Sequence, residues 1–450
     1  MVQSNRLRLQ TLAGSAQVDK KKYPIKRYTH FDNKISFEKI GKDVQNPCWI
    51  ARHGFYPFIH YELKFCKYNK EGKEKKVKKR DIYYASHTDS YIYRYYGEML
   101  NEYYNETVKE LEINEVATAY RNNLKGKSNI NFAKEVIDFI KSCQQAFIYV
   151  ADFTKFFDNL DHRYLKRKLQ DVLKVDSLPA DYYAVFKNIT KFSAVEKDEI
   201  EKAVNEKHLD EEERKNLTRY FSDKEFREFK KGKIKVNKEN FGIPQGAGIS
   251  SVCSNIYLLD FDKMINDYVK VHNGLYRRYC DDLIIVIPFK EDWQFSVLDI
   301  HTAYVDAIKN QTPRLEIQPE KTAKYIYTDN KILDELLQPS FLDYLGFTFD
   351  GNSVKIREKS LFKYYSRAYK KVRLCNRRTA KHKQKSYRRS LYQNYTHLGK
   401  KRKGHGNFLS YVSRAQHIFD DNSKTNNLME RQVRNHWKYI GERLTNPISK

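Results

Sequence analysis

The chain has 450 residues, of which 40% are hydrophobic and 14% aromatic, and this aromatic content excludes a disordered protein. No stretch approaches the roughly 18 apolar residues of a membrane-spanning helix, and the N-terminus lacks a signal-peptide core, so we expect a cytoplasmic protein. The six cysteines are scattered and form no Cys-x-x-Cys pair. Their spacing favours neither a structural zinc site nor a disulfide framework.

Positive charge is concentrated in residues 351–450. Lys and Arg number 84 against 57 Asp and Glu, which gives a net charge of +27. Residues 351–450 contain 26 Lys or Arg and five acidic residues, so they carry +21 of this total. A surplus of this size indicates a polyanionic partner, and nucleic acid is the first candidate. Because tyrosines and leucines interleave the charges at helical spacing, we expect a folded basic region rather than a solubilising tail.

The N-terminal third of the chain predicts a hairpin followed by helices. Residues 55–67 and 77–85 predict two strands, joined by a polar turn at 68–75. Apolar residues three and four positions apart then predict helices at 88–114 and 130–146.

The middle of the chain begins with the most apolar segment of the sequence. Residues 147–153 form a continuous apolar run that ends in an acid, which predicts a buried central strand. A helix is predicted at 159–173, and the highly charged residues 175–240 are predicted to be mainly helical. An amphipathic helix is predicted at 250–269.

Short strands dominate the region that follows. Residues 275–280 and 283–287 predict two strands with a tight turn between them. A helix is predicted at 294–311, a strand at 323–327 and a further strand segment at 341–351.

Acidic residues occur where these predicted strands end. Asp152 ends one apolar strand, and Asp281 and Asp282 occupy the predicted turn between two others. If the strands are neighbours in one sheet, the three carboxylates converge on one edge and supply the hard oxygen ligands that Mg²⁺ prefers. Nucleotidyl transfer uses two such ions about 3.5–4 Å apart, and Mn²⁺ is an alternative to Mg²⁺. The adjacent pair Asp420 and Asp421 lacks flanking strands, and we interpret it as a solvated helix end.

The order of these segments resembles the motif series of reverse transcriptases. The matching segments are KKRDIYYASHTDSYIY (78–93) for the fingers motif, DFTKFFDNLDH (152–162) for motif A, GIPQGAGISSVCSNIY (242–257) for motif B, YCDD (279–282) for motif C, PEKT (319–322) for motif D and FLDYLGFTF (341–349) for motif E. No single motif is decisive, but six in the right order are specific. The resemblance runs from about residue 55 to 350 and continues more weakly beyond.

This resemblance implies an α+β fold of the right-hand polymerase type, with a palm whose antiparallel sheet bears the catalytic acids. It divides the chain into a leader at 1–24, fingers at 25–146, a palm at 147–350 and a basic α-helical, nucleic-acid-binding thumb at 351–450. Residues 170–240 are then a helical fingers or insertion segment within the palm.

The resemblance also assigns catalytic and metal-binding roles. Asp152 and Asp281 would bind both metal ions, with Asp282 in support and the backbone carbonyl of Phe153 as a further ligand. Lys321, in motif D, would lie near the leaving pyrophosphate as a general acid, although a surface lysine is the alternative interpretation.

Nucleotide-binding roles fall on the fingers motif and on motifs A and B. Arg80 would contact the incoming triphosphate, where a planar guanidinium suits phosphate oxygens, and Lys79 is the alternative because the lysine run leaves the register open. Gln245 and Gly246 would line the pocket around nucleotide and template. Phe157 would act as a steric gate against a ribose 2′-hydroxyl, or would alternatively be a core residue.

Two residues favour DNA over RNA as the product. RNA-dependent RNA polymerases share the palm but usually carry an acid where this chain has Phe157, and Gly where it has Cys280. The implied enzyme is therefore an RNA-directed DNA polymerase that uses dNTPs and binds an RNA template, a noncoding RNA or both, together with its DNA product. The template, the primer and the oligomeric state stay open, and no membrane partner is expected.

The subtype is indicated by residues outside the catalytic motifs. We expect neither an RNase H domain nor the paired Cys-x-x-Cys motifs of an HNH endonuclease. Residues 404–419 and 87–100 resemble the bacterial defence-associated and abortive-infection reverse transcriptases, which implies a role in antiphage defence. Alternatives are a group II intron-like or retron-like enzyme, and a catalytically decayed nucleic-acid-binding protein.

Overall fold

The computed structural model describes residues 19, 22–67, 76–290, 295–382 and 388–445. Most of the predicted leader at 1–24 lies outside the described residues, as does the whole predicted turn at 68–75.

Helices form the larger part of the described structure. The first nine, α1 to α9, are Phe37–Val44, Pro47–Arg52, His87–Glu110, Asn129–Ser142, His162–Leu173, Ala180–Thr190, Lys197–Asn205, Glu211–Asn216 and Asp223–Phe229. The next eight, α10 to α17, are Ser250–Tyr257, Leu259–Val271, Phe295–Gln311, Glu358–His382, Arg388–Tyr395, Phe408–Asp420, Met429–Val433 and His436–Thr445.

The strands are arranged in three sheets. Strands β1 to β7 are Phe58–Lys67, Lys76–Tyr84, Gln145–Asp152, Ser193–Glu196, Lys235–Val236, Leu275–Tyr279 and Asp282–Phe289. Strands β8 to β14 are Ala323–Thr328, Lys331–Leu333, Pro339–Ser340, Leu342–Tyr344, Phe347–Phe349, Ser353–Ile356 and Asn426–Asn427. The mixture of helices and largely antiparallel sheets confirms the predicted α+β class.

The central sheet has six strands in the order β10-β9-β8-β3-β7-β6, and β3 is antiparallel to both of its neighbours. Side chains alternate along a strand, so Phe147 and Tyr149 pack into one hydrophobic cluster while Ala146 and Ile148 pack into another on the opposite face. Both faces of β3 are therefore covered. This arrangement explains the continuous apolar run and confirms the predicted buried central strand.

A second sheet of order β2-β1-β4-β5 contains the predicted N-terminal hairpin, which is confirmed as β1 and β2. Residues 175–240, predicted to be mainly helical, hold α6 to α9 but also contribute β4 and β5 to this sheet. Strand β4 is only four residues long, and its buried Ala194 and Val195 lie between polar residues. A strand of four residues is too short for its alternation of apolar and polar side chains to be recognised in the sequence.

Two predicted helices are corrected by the structure. The helix predicted at 250–269 is broken at Leu258, which ends α10 and begins α11. The helix predicted at 159–173 begins only at His162, because Phe156–Asn159 forms a 3₁₀ turn.

The described residues of the segment 351–450 fold mainly as helices, as predicted. Their aromatic residues pack within this region: Tyr364 is buried and stacks on Phe408 at 4.7 Å between ring centroids, and Tyr392 contacts Trp437 at 5.5 Å. Helix α15 also packs in one hydrophobic cluster with the central sheet. Within the described part of the chain, no helix combines the length and the apolar character needed to cross a membrane.

Candidate active site

Two acids lie opposite each other on neighbouring strands of the central sheet. Asp152 is the last residue of β3, Asp282 is the first residue of β7, and the two are direct register partners. Asp282 also pairs with Tyr279, so the loop between β6 and β7 consists of Cys280 and Asp281 alone. The prediction that Asp282 lies in the turn is therefore wrong: it belongs to the strand, and its side chain shares a face of the sheet with that of Asp152.

Such a short loop requires an unusual backbone conformation at Cys280. This residue has a φ of 62°, in the left-handed region that favours glycine and is common in two-residue hairpins. Its thiol is buried, and burial together with the nearby Asp281 carboxylate raises the pKa of the thiol to about 12. On the far side of the loop, the Phe153 N–H donates to the Asp281 carbonyl (3.3 Å). The loop is thus attached to the end of β3.

The carboxylate of Asp152 is buried and only partly satisfied. Its Oδ2 accepts from the ammonium of Lys321, whereas its Oδ1 is buried without a hydrogen-bond partner. The chain around Lys321 is attached to the end of β3, because the Gln318 N–H donates to the Asp152 carbonyl (2.8 Å). A buried acceptor without a donor is costly, so this oxygen fits a cation ligand.

Negative charge is crowded at the other acid. Asp282 keeps contact with solvent, but partial loss of its hydration and the neighbouring charge of Asp281 raise its pKa to about 6. Arg357, which forms an ion pair with Asp343, acts in the opposite direction and lowers the pKa of Asp282. A divalent cation would relieve this repulsion between carboxylates.

The donor set fits an ion that keeps part of its water shell. Among the described residues, no group of three or more His, Cys, Asp or Glu side chains is arranged so that it could hold a metal ion by itself. Mg²⁺ suits a site of this kind, because it is commonly held by one or two carboxylates, water and substrate phosphates. Asp152, Asp281 and Asp282, with the Phe153 carbonyl, are compatible with that mode of binding.

Motifs A and B are joined by backbone hydrogen bonds. The Ile243 N–H donates to the Phe157 carbonyl and the Gly242 N–H donates to the Leu160 carbonyl, both at 2.9 Å. The ring of Phe157 is half-buried and packs against the main hydrophobic cluster, next to the fully buried Phe156. Half-burial is compatible with both interpretations of Phe157, as a gate and as a core residue.

Motif B also contacts the fingers strand β2. The Tyr83 N–H donates to the Gln245 carbonyl (2.9 Å), and Gly246 lies against the Tyr83 carbonyl. Gly246 has a φ of +114°, and a Cβ there would lie 2.3 Å from that oxygen. Only glycine fits this close approach. The structure therefore brings Gln245 and Gly246 against strand β2 of the β1–β2 hairpin.

The two triphosphate-binding candidates occupy different faces of β2. Because side chains alternate, Lys79 shares a face with Asp81 and Tyr83, whereas Arg80 points to the opposite face. The ammonium of Lys79 pairs with Glu62 on the neighbouring strand (3.1 Å), and both side chains are largely exposed. Arg80 is exposed. Lys321, by contrast, contacts one of the three acids, Asp152.

The sequence interpretation missed a buried ion pair beneath motif C. Arg278 and Asp262 are both 0% exposed, and the guanidinium donates to the carboxylate at 2.9 and 2.6 Å. A usable signal existed, since Arg278 lies in a predicted apolar strand and Asp262 in a predicted amphipathic helix. Charged residues at such positions are almost never fully buried unless they are paired.

Comparison with known proteins identifies one family. The family model described as reverse transcriptase (RNA-dependent DNA polymerase) matches residues 99–349, which is more than half of the chain. Together with the antiparallel sheets, this match confirms the predicted right-hand polymerase fold. A search of curated proteins finds no match.

Solved structures with similar folds include telomerases and a viral polymerase. Apo telomerase from Candida tropicalis, truncated from its C-terminal domain, is 12% identical with a TM-score of 0.44, and the match covers 73% of this chain and 63% of that one. Telomerase from Candida albicans with a fragment of telomeric RNA is 13% identical with a TM-score of 0.43, covering 96% and 65%. An insertion-loop deletion mutant of the RNA-dependent RNA polymerase of a human picobirnavirus is 11% identical with a TM-score of 0.36, covering 66% and 44%. The chain thus spans less than two thirds of each of these proteins, and at these values the similarities carry no functional argument.

Proposed function

The chain belongs to the reverse transcriptase family, and from this premise we propose that it is an RNA-directed DNA polymerase. Its active site is the sheet edge formed by Asp152, Asp281 and Asp282. The observation that carries the proposal is the direct pairing of Asp152 with Asp282, with Asp281 in the adjoining two-residue loop. This arrangement supports a site where three carboxylates meet one substrate.

The three acids and the Phe153 carbonyl are proposed to hold two Mg²⁺ ions, with Mn²⁺ as a substitute. When bound, the ions lower the pKa of the attacking 3′-hydroxyl and stabilise the charge on the leaving pyrophosphate. The buried, unpartnered Oδ1 of Asp152 supports its role as a ligand. So does the raised pKa of Asp282, which reflects loss of hydration on burial and then repulsion by the Asp281 carboxylate, which a cation would relieve.

Lys321 and the nucleotide-binding residues complete the proposed chemistry. Lys321 neutralises Asp152 in the free protein and has a proton to donate to the leaving pyrophosphate. Gln245 and Gly246 line the nucleotide pocket, where the absent side chain of Gly246 allows the fingers strand to approach. Phe157 excludes a 2′-hydroxyl by steric clash.

Triphosphate binding is proposed for Arg80, with Lys79 as the alternative. The bidentate geometry of a guanidinium favours Arg80.

The proposed domain organisation follows the sheets. Fingers at 25–146 are completed by the segment 170–240, since β4 of that segment pairs with β1. The palm is 147–350, and residues 351–450 form a basic thumb that binds nucleic acid. An RNA template, a DNA product and dNTPs are the proposed partners.

A purified-protein assay tests this proposal. The protein is given Mg²⁺, dNTPs and a primer annealed to an RNA or a DNA template, with reactions lacking template or containing EDTA as controls. We expect extension that requires the metal and copies the RNA template. Failure to incorporate any nucleotide under these conditions, by a folded protein, would favour the decayed nucleic-acid-binding alternative.

A finer proposal concerns the biological role. The resemblance of residues 404–419 and 87–100 to defence-associated enzymes supports a role in antiphage defence with a bound noncoding RNA. Sequencing the RNA and DNA that co-purify with the protein would identify template and product. Cells expressing the wild-type chain should survive phage infection better than cells expressing the Asp281→Asn variant, and equal survival would contradict the defence role.

A further inference from the structure

A buried ion pair lies directly beneath the loop that carries Asp281. Arg278 of β6 and Asp262 of α11 are both fully buried, with Nε–Oδ1 and Nη2–Oδ2 distances of 2.9 and 2.6 Å. The hydroxyl of Tyr276 donates to the same carboxylate at 2.8 Å. The carboxylate of Asp262 thus accepts from three donor groups.

The remaining contacts of Arg278 link the loop to the rest of the palm. Its Nη1 donates to the Cys280 carbonyl at 2.8 Å and to Oδ1 of Asn255, on α10, at 3.1 Å. Asn255 in turn donates to the Ala119 carbonyl at 3.0 Å. The backbone N–H of Arg278 donates to the Val116 carbonyl at 2.8 Å. One guanidinium therefore connects the two-residue loop to two helices.

From these contacts we infer that Arg278 is a positioning residue for the metal-binding acids, an inference that rests on the proposed metal-binding role of Asp281 and Asp282. The Cys280 carbonyl belongs to the peptide that leads into Asp281, so a donor fixed in place there fixes the orientation of that peptide. The positive φ of Cys280 makes the loop conformation one that few residues adopt unaided. Arg278 holds it.

Stability alone does not require this pair. Apolar residues of similar volume are often as stabilising as a buried ion pair, because taking two charges out of water is costly. The contribution of the ion pair is instead that it fixes the directions of several hydrogen bonds. The guanidinium is a planar group with five donors in fixed directions, and here it reaches Asp262, Asn255 and Cys280 at once. A lysine in its place could keep the charge but not this set of contacts.

The neighbouring residue provides a matched control. Arg277 is 7% exposed and donates to Glu135 (Nε–Oε1 2.8 Å) and Glu115 (3.2 Å), but its remaining hydrogen bond goes to the Tyr276 carbonyl rather than to the loop. Arg277→Lys and Arg278→Lys therefore each disturb a buried arginine that pairs with a carboxylate, and these carboxylates are partly exposed in Glu135 and exposed in Glu115 but fully buried in Asp262. Only Arg278→Lys removes the donor to the Cys280 carbonyl.

The experiment measures metal binding separately from catalysis. Mn²⁺ is titrated into the full-length protein without nucleotide and followed by electron paramagnetic resonance, and the kcat and the KM for primer–template are then measured. Arg278→Lys should weaken Mn²⁺ binding and lower kcat by about 10–100-fold with the KM for primer–template unchanged, as expected when a supporting contact of metal ligands is lost. Arg277→Lys should stay within about twofold of wild type in both.

A second variant covers the case in which Arg278→Lys does not fold. The triple variant Tyr276→Phe, Asp262→Leu, Arg278→Met replaces the buried polar cluster by apolar groups and should keep a melting temperature near that of wild type. Its Mn²⁺ affinity should still fall by about 10–100-fold, because the donor to the loop is gone.

The outcomes separate this inference from the proposed function. If Arg278→Lys matches Arg277→Lys in Mn²⁺ affinity, or if the folded triple variant binds Mn²⁺ like wild type, Arg278 does not position the acids. If Asp281→Asn itself binds Mn²⁺ and polymerises like wild type, the metal assignment fails, and the role of Arg278 fails with it.

Discussion

Charge is used in opposite ways at the palm edge and in the basic C-terminal region. At the palm edge, ionised groups are few and lie at fixed distances: Asp152 pairs with Lys321, and Arg278 with Asp262. Along α13 the cations are many and exposed. Six of them are Lys363, Arg367, Lys370, Arg373, Arg377 and Lys381. We expect the function of the palm edge to depend on the position of each charge, and nucleic-acid binding by α13 to depend on the number of cations. Single substitutions should therefore have large effects at the palm edge, whereas α13 should respond only to multiple substitutions.

The largest effect should come from the palm acids. Asp281→Asn should lower nucleotide incorporation by at least about 10²–10³-fold while the protein stays folded, because the acids repel one another without metal and removing one does not weaken packing. Asp421→Asn, in the other Asp–Asp pair of the sequence, is the matched control and should leave activity unchanged. Primer extension and circular dichroism measure both. Near-normal activity in folded Asp281→Asn would contradict the metal assignment.

Neutralising these six exposed cations of α13 to Gln should come next. About six fewer phosphate contacts should flatten the slope of log affinity against log salt by about 4 to 5. The control neutralises six exposed cations of the fingers segment, which are Lys202, Lys224, Arg227, Lys230, Lys231 and Lys238. Fluorescence anisotropy at several salt concentrations measures both. Equal slopes in the two variants would show that the C-terminal surplus has no special role.

Substitution is the better test here, because deleting residues 351–450 would also damage the palm. Leu409 and Val412 of α15 are buried in the cluster that covers one face of the central sheet. A deletion would expose that face, and lost binding could then reflect lost folding.

The junction between fingers and motif B should show an intermediate effect. Gly246→Ala would place a Cβ 2.3 Å from the Tyr83 carbonyl, which forces the strand and the loop apart and should lower kcat/KM for dNTPs by about 100-fold. Gly126→Ala is the control, because Gly126 also has a positive φ but its Cβ would meet open space. It should cost only about 1 kcal/mol of stability. Steady-state kinetics and thermal melting distinguish the two, and equal kinetics would contradict the role of Gly246.

A smaller effect is expected on sugar choice. Phe157→Ala should reduce the preference for deoxynucleotides over ribonucleotides by about 10–100-fold if the ring blocks the 2′-hydroxyl. Phe156→Ala, at the buried neighbour, should instead cost about 3–5 kcal/mol of stability and leave the preference intact. The ratio of catalytic efficiencies for deoxynucleotides and ribonucleotides distinguishes the gate from the core interpretation of Phe157. An unchanged ratio in folded, active Phe157→Ala would identify Phe157 as a core residue.

The smallest effect concerns pH. The pKa of Asp282 is raised from 3.8 to about 6 in the folded protein, so the folded state binds more protons than the unfolded state between these values. The unfolding free energy should therefore fall as pH rises from about 4 to 6, by roughly 1 kcal/mol after allowance for solvent screening. Asp282→Asn should remove this part of the pH dependence in melting experiments with EDTA. The same slope in variant and wild type would rule out Asp282 as its source.

The local sequence predicted those parts of the fold in which local pattern and tertiary environment agree. The run at 147–151 is apolar at every position because both faces of β3 are covered, so composition alone indicated a buried strand. Asp152 was identified for a related reason. It is a charged residue in an otherwise apolar strand, and packing of that strand does not explain a charge at this position.

The missed features depend on contacts that are distant in sequence. Nothing in the residues around Leu258 interrupts the helical pattern, yet the helix breaks there, between Asn255 and Asp262, whose side chains both accept hydrogen bonds from Arg278. The short strand β4 exists because β1 lies beside it. Neither the partner of Arg278 nor the partner of β4 can be read from the neighbouring residues.

Burial of Cys280 has a consequence for the redox chemistry of the protein. Oxidants and alkylating reagents attack the thiolate rather than the thiol, and a pKa of about 12 leaves almost no thiolate at neutral pH. The sulfur next to Asp281 is therefore protected from sulfenic acid formation and from mixed disulfides. The solvent-exposed Cys48 is the more accessible target for such reagents. Modification there would take place at a distance in sequence from the β6–β7 hairpin.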